Sequence, residues 1–231
     1  MENQNQNQSQ NQGSSFLERA KQSYDYKELD RLGLTPEPEQ REMILTYLSL
    51  VLEENNNAKL VPEADEPILF LRHFCDSIQP LLLFGFKKNA ITFDLGSSGG
   101  FPVFPIRIFR PDLSFVLVEP NGKKAAFLEK AKSMFGFDNI EIIHGKIGDI
   151  ESGRMADYVI TRGAGTLHKF AQLAKPFLVA EGRMYKYKTK QFSAELDAMT
   201  PSRDGVKVSE IAQYDLGNAI HGLSLISMIV L

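Results

Sequence analysis

The chain has 231 residues, of which 43% are hydrophobic and 24% charged, with a formal net charge of −3. This length and apolar content suffice for one sizeable core with a small accessory element. A single cysteine, Cys75, excludes an intrachain disulfide and a zinc cluster, and no apolar run approaches bilayer length. With no signal-like start, the sequence predicts a cytoplasmic protein without membrane contact and without a metal site.

The charge is unevenly distributed along the chain. Residues 1–100 contain 9 basic residues (Lys and Arg) and 15 acidic ones (Asp and Glu). Residues 101–190 contain 15 basic and 9 acidic residues, and residues 191–231 contain 2 basic and 5 acidic residues. Local field steers association more than net charge does, so the basic middle fits a polyanionic substrate. An ordinary solvated helix surface would show the same composition.

The N-terminal third predicts a polar tail followed by helices. Residues 1–15 are almost entirely Asn, Gln, Ser and Gly, and cannot bury enough apolar area to fold, so we expect a disordered tail. Apolar residues then recur at three- and four-residue steps, which is typical of amphipathic helices. Thr35 and Pro36 suit the cap and first turn of the second of these helices. The predicted spans are 16–32, 36–52 and a third helix from residue 65 to about residue 80, within a helical element over residues 16–86.

Beyond this element, short apolar runs alternate with helix-length segments, which indicates a parallel sheet with crossover helices. The last two strand-like runs are too close together for a full crossover helix, so an antiparallel hairpin must close the sheet. This predicts an α/β domain over residues 87–231 that resembles the seven-stranded, Rossmann-like sheet of class I methyltransferases. The predicted strands are 90–94, 114–119, 140–143, 156–161, 182–188, 206–214 and 223–231, with helices near 100–109, 121–135 and 166–178.

The most informative stretch, residues 91–102, is an apolar strand that runs through Asp94 into a glycine-rich bend. Gly96 and Gly100 permit backbone angles and close approach that a Cβ would block, and a following helix offers unpaired N–H groups. Glu119 ends the next strand, where a carboxylate can accept both ribose hydroxyls. The spacing predicts a cradle for a nucleotide cofactor.

Which cofactor the cradle holds depends on the glycine order. Dinucleotide folds use the same strand, bend, helix and acid with glycines spaced G-x-G-x-x-G, whereas this bend reads Gly-Ser-Ser-Gly-Gly. Ser98 takes the third position, and Phe101 and Pro102 open the helix, which suits a cofactor lacking a diphosphate. The bend therefore favours S-adenosylmethionine over a dinucleotide, and a plain strand-to-helix turn would look the same.

Several segments taken together resemble one family, the bacterial RsmG (GidB) methyltransferases, which modify guanine N7 in small-subunit ribosomal RNA. The resemblance covers roughly residues 39–231 and implies S-adenosylmethionine as cofactor. It also implies small-subunit (16S) ribosomal RNA or the assembling small ribosomal subunit as partner, and we expect a monomer. The segments that carry it are 72–78, 93–105, 110–113, 122–128, 139–141 and 160–164.

The resemblance also implies a set of cofactor-binding residues at the carboxyl ends of adjacent parallel strands, where open α/β sheets bind ligands. Ile147 and Gly148 follow the third strand, although a plain loop would have the same composition. Arg162 ends the fourth strand. Its guanidinium could bind the cofactor carboxylate, contact an RNA phosphate or form a surface ion pair, and these three roles stay open. The full set is Gly96, Ser98, Gly100, Phe101, Glu119, Ile147, Gly148 and Arg162.

His73 and Asp76 lie three residues apart and could form an acid–base pair on one helical face. Guanine N7 carries a lone pair and no proton, and the sulfonium methyl is already activated, so transfer chiefly needs alignment and desolvation. We therefore assign no catalytic residue and expect His73, Asp76 and Arg162 to shape the pocket. The candidate RNA phosphate contacts are Lys123, Lys124, Lys146 and Lys169, for which solvated surface is the alternative.

Other methyl acceptors fit the sequence less well. Methylation at pyrimidine C5 needs a thiolate, yet Cys75 precedes the cofactor strand. Methylation of an exocyclic amine usually uses an Asn/Asp-Pro-Pro-aromatic turn, where this chain has residues 161–164 as Thr-Arg-Gly-Ala. Ser98 and Val103 stand where the family usually has glycine, and Ser98 tolerates the bend if its φ is negative. A methyltransferase of a small molecule or protein, and a cofactor-binding protein without turnover, stay open as alternatives.

Overall fold

The computed structural model describes residues 15–150, 153–163, 165–189 and 192–231. The predicted tail lies outside the described residues except for residue 15, which begins a helix over 15–23. A seven-stranded sheet in the order β3-β2-β1-β4-β5-β7-β6 forms the centre of the molecule. Its strands are β1 (Ile91–Leu95), β2 (Ser114–Glu119), β3 (Ile140–His144), β4 (Ala156–Thr161), β5 (Leu178–Lys188), β6 (Val206–Leu216) and β7 (Ile220–Val230).

The strand directions confirm the predicted fold class. β1 to β5 pair in parallel, whereas β7 runs antiparallel to both β5 and β6. The chain order reverses between β1 and β4, which lie side by side, so the bend after β1 falls at the switch point where such sheets bind ligands. The crossover helices are α5 (Val103–Phe109), α6 (Gly122–Phe135) and α7 (Leu167–Ala174).

The N-terminal helices differ from prediction in their boundaries. One helix over 16–32 is wrong, because the chain breaks into α1 (residues 15–23) and α2 (Tyr26–Arg31), where the Asp25 side chain accepts a hydrogen bond from the Lys27 amide. A start at Pro36 is also wrong. The helix α3 (Pro38–Ala58) begins after Glu37, whose amide donates to Gln40 Oε1 at 2.9 Å in a capping box.

The predicted third helix is three short segments rather than one α-helix. A 3₁₀ turn over Glu63–Ile68 leads into a π-helical turn over Phe70–Cys75, and α4 (Gln79–Leu83) follows with Pro80 in its first turn. π-helical turns widen the helix by one residue and often lie at functional sites. The π-helical turn places the Arg72 and His73 side chains near the carboxyl edge of the sheet, as described below.

Two hydrophobic cores lie on opposite faces of the sheet, because successive strand residues point to opposite sides. On β2, Phe115 and Leu117 pack into the first core with the N-terminal helices, α5 and α6. Val116 and Val118 pack into the second core beneath α7, together with residues near α8 (Ser193–Asp197) and α9 (Pro201–Asp204). The N-terminal helices therefore pack directly on the sheet, and the division at residue 86 stays a prediction.

β5 also begins earlier than predicted. Its pairing with β4 shifts between Ala156 and Tyr158, and Glu181 has a φ of 61°, so the strand carries an irregularity just before Gly182. From the sequence, Gly182 was therefore predicted as the start of the strand, although the strand already begins at Leu178. Within the ranges that the structure describes, no helix has the length and apolar character to cross a membrane.

Candidate active site

The bend after β1 is built on glycines that the geometry requires. Gly96 and Gly100 have φ values of +83° and +88°, in the region that L-residues rarely occupy. A Cβ at Gly100 would lie 2.4 Å from Phe104 Cδ2, so a side chain at this position would force Phe104 to move. A Cβ at Gly96 would meet nothing within 4 Å. The backbone at Gly96 therefore faces open space, as a cradle for a ligand requires.

Ser98 lies in the left-handed region, with a φ of 50°, so the condition that its φ be negative is not met. This conformation costs about 1–2 kcal/mol for a residue with a side chain. Three hydrogen bonds hold it: the amide donates to Glu119 Oε2 at 2.8 Å, Oγ donates to the Leu60 carbonyl at 2.9 Å, and Lys124 Nζ donates to Oγ at 2.9 Å. Val103 is fully buried at the start of α5.

Glu119 is held in a fixed orientation at the end of β2. Its side chain is only 4% exposed, and its two carboxylate oxygens accept hydrogen bonds from the Ser98 and Asn121 amides at 2.8 and 2.9 Å. Hydrogen bonds from amides to a carboxylate are strong, and each oxygen keeps a second lone pair. Glu119 can therefore accept hydroxyl groups of a ligand while it fastens the bend to α6.

Asp94 is fully buried beneath the bend, and neither of its carboxylate oxygens has a hydrogen-bond partner among the described residues. Burial raises its pKa to about 8, and the Glu119 carboxylate acts in the same direction, while Ser97 and Arg162 act in the opposite one. The Ser97 hydroxyl is near enough to lower the pKa without meeting hydrogen-bond geometry. With this pKa the group is mostly a neutral carboxyl at pH 7, and its two buried oxygens have no partner until a ligand supplies a donor or a cation.

A mostly apolar pocket of about 370 Å³ opens at Gly96, and we call it the apolar pocket. It runs along the carboxyl ends of β1, β2 and β3 to the 3₁₀ turn over Ile147–Asp149, which also contains Gly148. Mostly apolar walls of this kind suit an aromatic ring. The lining residues are Leu95, Gly96, Val118, Pro120, Gly145, Lys146, Ile147, Lys169 and Leu173.

Arg162 lies at the centre of a hydrogen-bonded network that links β4 to the π-helical turn and the final hairpin. Its Nη2 contacts Asp76 Oδ2 at 2.9 Å, and its Nη1 contacts His73 Nδ1 at 3.2 Å. His73 Nε2 lies 2.8 Å from Asp65 Oδ2, and the Tyr214 hydroxyl donates to Asp76 Oδ1 at 2.6 Å. A largely buried ion pair of this kind differs from the exposed pair that the sequence left open.

The network fixes the protonation state of His73. A guanidinium only donates, so His73 Nδ1 must accept from Arg162, and Nε2–H then donates to Asp65. Burial lowers the His73 pKa to about 4, and the Arg162 cation acts in the same direction. Both ring nitrogens are occupied and the ring is neutral near pH 7. This agrees with a structural role for His73 rather than a role in proton transfer.

Phe101 lies behind the bend rather than in the open cradle. Its ring is 5.3 Å from the His73 ring and 5.9 Å from the Arg162 guanidinium carbon, and the side chain is buried. Tyr187 lies at the same 5.9 Å from that guanidinium carbon. The two rings therefore both pack near Arg162 and limit its movement.

A second pocket of about 360 Å³ opens beside Arg162 at the carboxyl ends of β4 and β5, and we call it the basic pocket. β4 pairs directly with β1, so the two pockets lie at neighbouring strand ends. The sequence predicted only Arg162 and Asp76 of this lining and missed its other charged residues. The lining residues are Arg72, Asp76, Arg162, Gly163, Gly165, Lys186, Tyr187, Lys188, Thr189 and Leu223.

The four lysines predicted as RNA contacts do not form one patch. Lys123 Nζ donates to Asn57 Oδ1 at 3.1 Å and Lys124 Nζ to Ser98 Oγ at 2.9 Å, so both fasten the first turn of α6 to its neighbours. Lys146 and Lys169 line the apolar pocket instead. The structure brings Lys146, Lys169, Ile147 and Gly96 together around one cavity.

The sheet with its antiparallel end, the glycine bend at the switch point and the buried strand-end carboxylates define an α/β protein of the class I methyltransferase fold. A family model described as rRNA small subunit methyltransferase G (GidB) matches residues 40–215. The chain belongs to this family.

Similar proteins agree with this assignment. Proteins named "Ribosomal RNA small subunit methyltransferase G" match from Moorella thermoacetica, at 33% identity over 72% of this chain and 71% of that protein, and from Lactobacillus helveticus, at 29% over 74% and 73%. Among solved structures, M. jannaschii TYW2 in complex with AdoMet has a TM-score of 0.54 at 15% identity, covering 68% of this chain and 74% of that one. TrmN from Thermus thermophilus has the same TM-score at 13% identity, covering 70% and 53%. These two show the fold.

Proposed function

We propose that this chain transfers a methyl group from S-adenosylmethionine to N7 of a guanine in small-subunit ribosomal RNA. The single observation that carries the choice of N7 is the state of His73 and Arg162 beside the basic pocket. His73 is neutral with both ring nitrogens bonded, and Arg162 is a permanent cation. Neither can remove a proton, which suits an acceptor that attacks with a free lone pair.

The cradle has groups that fit each part of the cofactor. Glu119 is oriented by two amides and can accept the ribose hydroxyls, and the apolar pocket beside Ile147 can receive the adenine ring. Asp94, unpaired in the described structure, can accept the ammonium group. Its carboxylate would then be paired, which removes the cost of burying it alone.

Arg162 can bind the carboxylate of the same cofactor. Its contacts with Asp76, His73 and the Arg72 carbonyl use three N–H groups, all on Nη1 and Nη2. Of five donors, Nε–H and one Nη1–H remain. When bound, S-adenosylmethionine supplies a methyl group activated by the sulfonium charge. The protein then contributes alignment and exclusion of water.

The substrate assignment follows the family and the site. The relatives are named for small-subunit ribosomal RNA, and the basic pocket offers cationic side chains next to the cradle. We therefore propose ribosomal RNA or the assembling small subunit as substrate, with the protein acting as a monomer in the cytoplasm. A polyanion is the partner that this charge distribution favours.

Two measurements together test the proposal. Calorimetric titration with S-adenosylhomocysteine should show binding, and labelled methyl should pass from S-adenosylmethionine to deproteinised small-subunit RNA or to assembled subunits. Glu119→Gln should weaken cofactor binding about 10- to 100-fold, because it removes a charged acceptor. Glu129→Gln, at an exposed site on α6, is the matched control and should bind as the parent does.

The outcomes separate the alternatives. Cofactor binding without methylation of either RNA substrate would favour a different acceptor or a protein without turnover. No cofactor binding would reject methyl transfer altogether. Equal weakening by the Glu119 and Glu129 variants would contradict the ribose role of Glu119.

A further inference from the structure

Lys186 is a buried lysine that lines the basic pocket. It is on β5 and only 2% exposed, and its Nζ lies 5.5 Å from the centroid of the Phe170 ring on α7. Across residues 15–150, 153–163, 165–189 and 192–231, no side chain or carbonyl forms a hydrogen bond or ion pair with this amine. The Phe170 ring offers only a cation–π contact, and a lysine buried to this extent without a carboxylate partner favours an anionic ligand at the pocket.

The charges around the pocket leave two cations without a compensating carboxylate. Arg162 is paired with Asp76 at 2.9 Å, and Lys188 is paired with Glu195 at 2.7 Å. Arg72 and Lys186 line the same pocket, and neither side chain forms an ion pair with a carboxylate in the described part of the chain. The pocket therefore has an excess of positive charge contributed by the π-helical turn on one side and by β5 on the other.

We propose that the basic pocket binds a backbone phosphate of the target RNA strand, held by Lys186 Nζ and the Arg72 guanidinium. The proposal rests on the proposed function, in which the methyl acceptor is a guanine in RNA. A phosphate supplies the negative charge that these two cations lack, and both residue types bind phosphate oxygens. The pocket volume of about 360 Å³ leaves room for a phosphate and part of its nucleotide.

A phosphate fits the chemistry better than the edge of the base. Methylation at N7 places positive charge on the guanine ring, and a cation against that edge would oppose the charge as it develops. The phosphate keeps its charge throughout the reaction, so a cation bound to it stabilises the ground state and the transition state equally. Lys186 then affects KM and leaves kcat unchanged.

The ionisation of Lys186 is compatible with this role. Burial lowers its pKa to about 8, the neighbouring Lys188 lowers it further, and Glu195 acts in the opposite direction. The amine is therefore mostly protonated near pH 7. A bound phosphate would favour the charged form more strongly.

Lys186→Met tests the proposal, because it removes the charge and keeps an unbranched apolar stem against Phe170. In the full chain with S-adenosylmethionine and small-subunit RNA, KM for RNA should rise about 10- to 100-fold, as expected for one charge-assisted hydrogen bond, with kcat within about twofold. The slope of log binding constant against log salt should become less steep by about 0.7, the value for one phosphate on a single strand. Arg72→Gln should reduce the slope by a similar amount.

Lys207→Met is the matched control. Lys207 is exposed on the edge strand β6 and pairs with Ile229, which pairs in turn with Arg183 in the middle of β5. Its KM and salt slope should stay at the parental values. Thermal unfolding checks that Lys186→Met is folded, and the loss of a buried charge should leave its midpoint unchanged or higher.

The failures can be told apart. A parent protein that methylates no RNA would refute the proposed function, whatever the variants do. A parent that methylates RNA, with a folded Lys186→Met variant of unchanged KM and salt slope, would overturn the phosphate site alone. A fall in kcat at constant KM would also overturn it, because Lys186 would then act on the reacting base.

Discussion

Asp94→Asn probes the electrostatics of the cradle most sharply. Asp94 is fully buried and its pKa is raised from 3.8 to about 8, first by burial and then by Glu119. The unfolded chain ionises at the ordinary pKa, so keeping this carboxyl neutral at pH 7 costs about three pKa units, or about 4 kcal/mol. A buried amide without partners costs about 1–3 kcal/mol. The variant should therefore be more stable than the parent by about 2 kcal/mol at pH 7.

The sign of the pH dependence follows from the raised pKa. Because folded Asp94 keeps its proton up to about pH 8, the free energy of unfolding of the parent is highest below about pH 3.8. It falls as the pH rises towards 8. In urea unfolding of the cofactor-free protein, the stability of Asp94→Asn relative to the parent should increase by about 3 kcal/mol between pH 5 and 7.5. Asp197→Asn, at an exposed position on α8, should show no such increase. A pH-independent difference for Asp94→Asn would refute the reasoning.

The same variant links stability to binding. If Asp94 accepts the cofactor ammonium, Asp94→Asn should bind S-adenosylhomocysteine at least about tenfold more weakly, since a charged acceptor is lost. The expected result is a protein that is more stable and binds less well. Unchanged affinity in calorimetry would place the ammonium elsewhere.

Two further predictions concern the bend and the buried network. Gly100→Ala should lower the free energy of unfolding by roughly 2–4 kcal/mol in urea, because its Cβ would lie 2.4 Å from Phe104 and its φ is +88°. Gly136→Ala, with a φ of +61° and no neighbour within 4 Å, should cost only the conformational part, about 1–2 kcal/mol, and equal costs would argue against the clash. The folded-state pKa of His73 is about 4, below the usual 6.5. The free energy of unfolding of the parent, relative to His73→Gln, should therefore rise by up to about 3 kcal/mol between pH 4 and pH 6.5. Above pH 6.5 the difference should stay constant. A flat difference across the lower range would mean that the His73 pKa is not depressed.

The strands could be predicted because their apolar runs are local, but several helix boundaries depended on tertiary contacts. Thr35–Pro36 and Glu37–Pro38 both offer a residue before proline that suits a helix start. The second is used, because Gln40 closes the capping box and its Nε2 also donates to the Ile108 carbonyl at 2.9 Å, across a sequence separation of 68 residues. Local sequence contains no sign of that contact.

The cradle was predictable for the same reason that the strands were. The bend after Asp94 and the position of Glu119 can be recognised within short segments of sequence. The left-handed φ of Ser98 could not be predicted in this way. The link between His73 and Arg162 joins side chains 89 residues apart, so spacing could suggest only that each is near the site. Their mutual contact, which fixes the protonation state of His73, needed the fold.

Lys186 shows what sequence patterning conceals. Residues 184–188 read Met-Tyr-Lys-Tyr-Lys, an alternation that is typical of a strand with one solvated face. In the fold, β7 pairs with β5 on one side and Phe170 from α7 covers the lysine. A residue that appears exposed in the sequence therefore becomes a buried cation at the pocket.

The central claim, methylation at guanine N7, is tested most directly by replacing the acceptor atom. Two preparations of small-subunit RNA, one with guanine and one with 7-deazaguanine in place of guanine, would receive labelled S-adenosylmethionine and the protein. We expect incorporation into the first and none into the second, which lacks the N7 lone pair. Equal incorporation into both would contradict it.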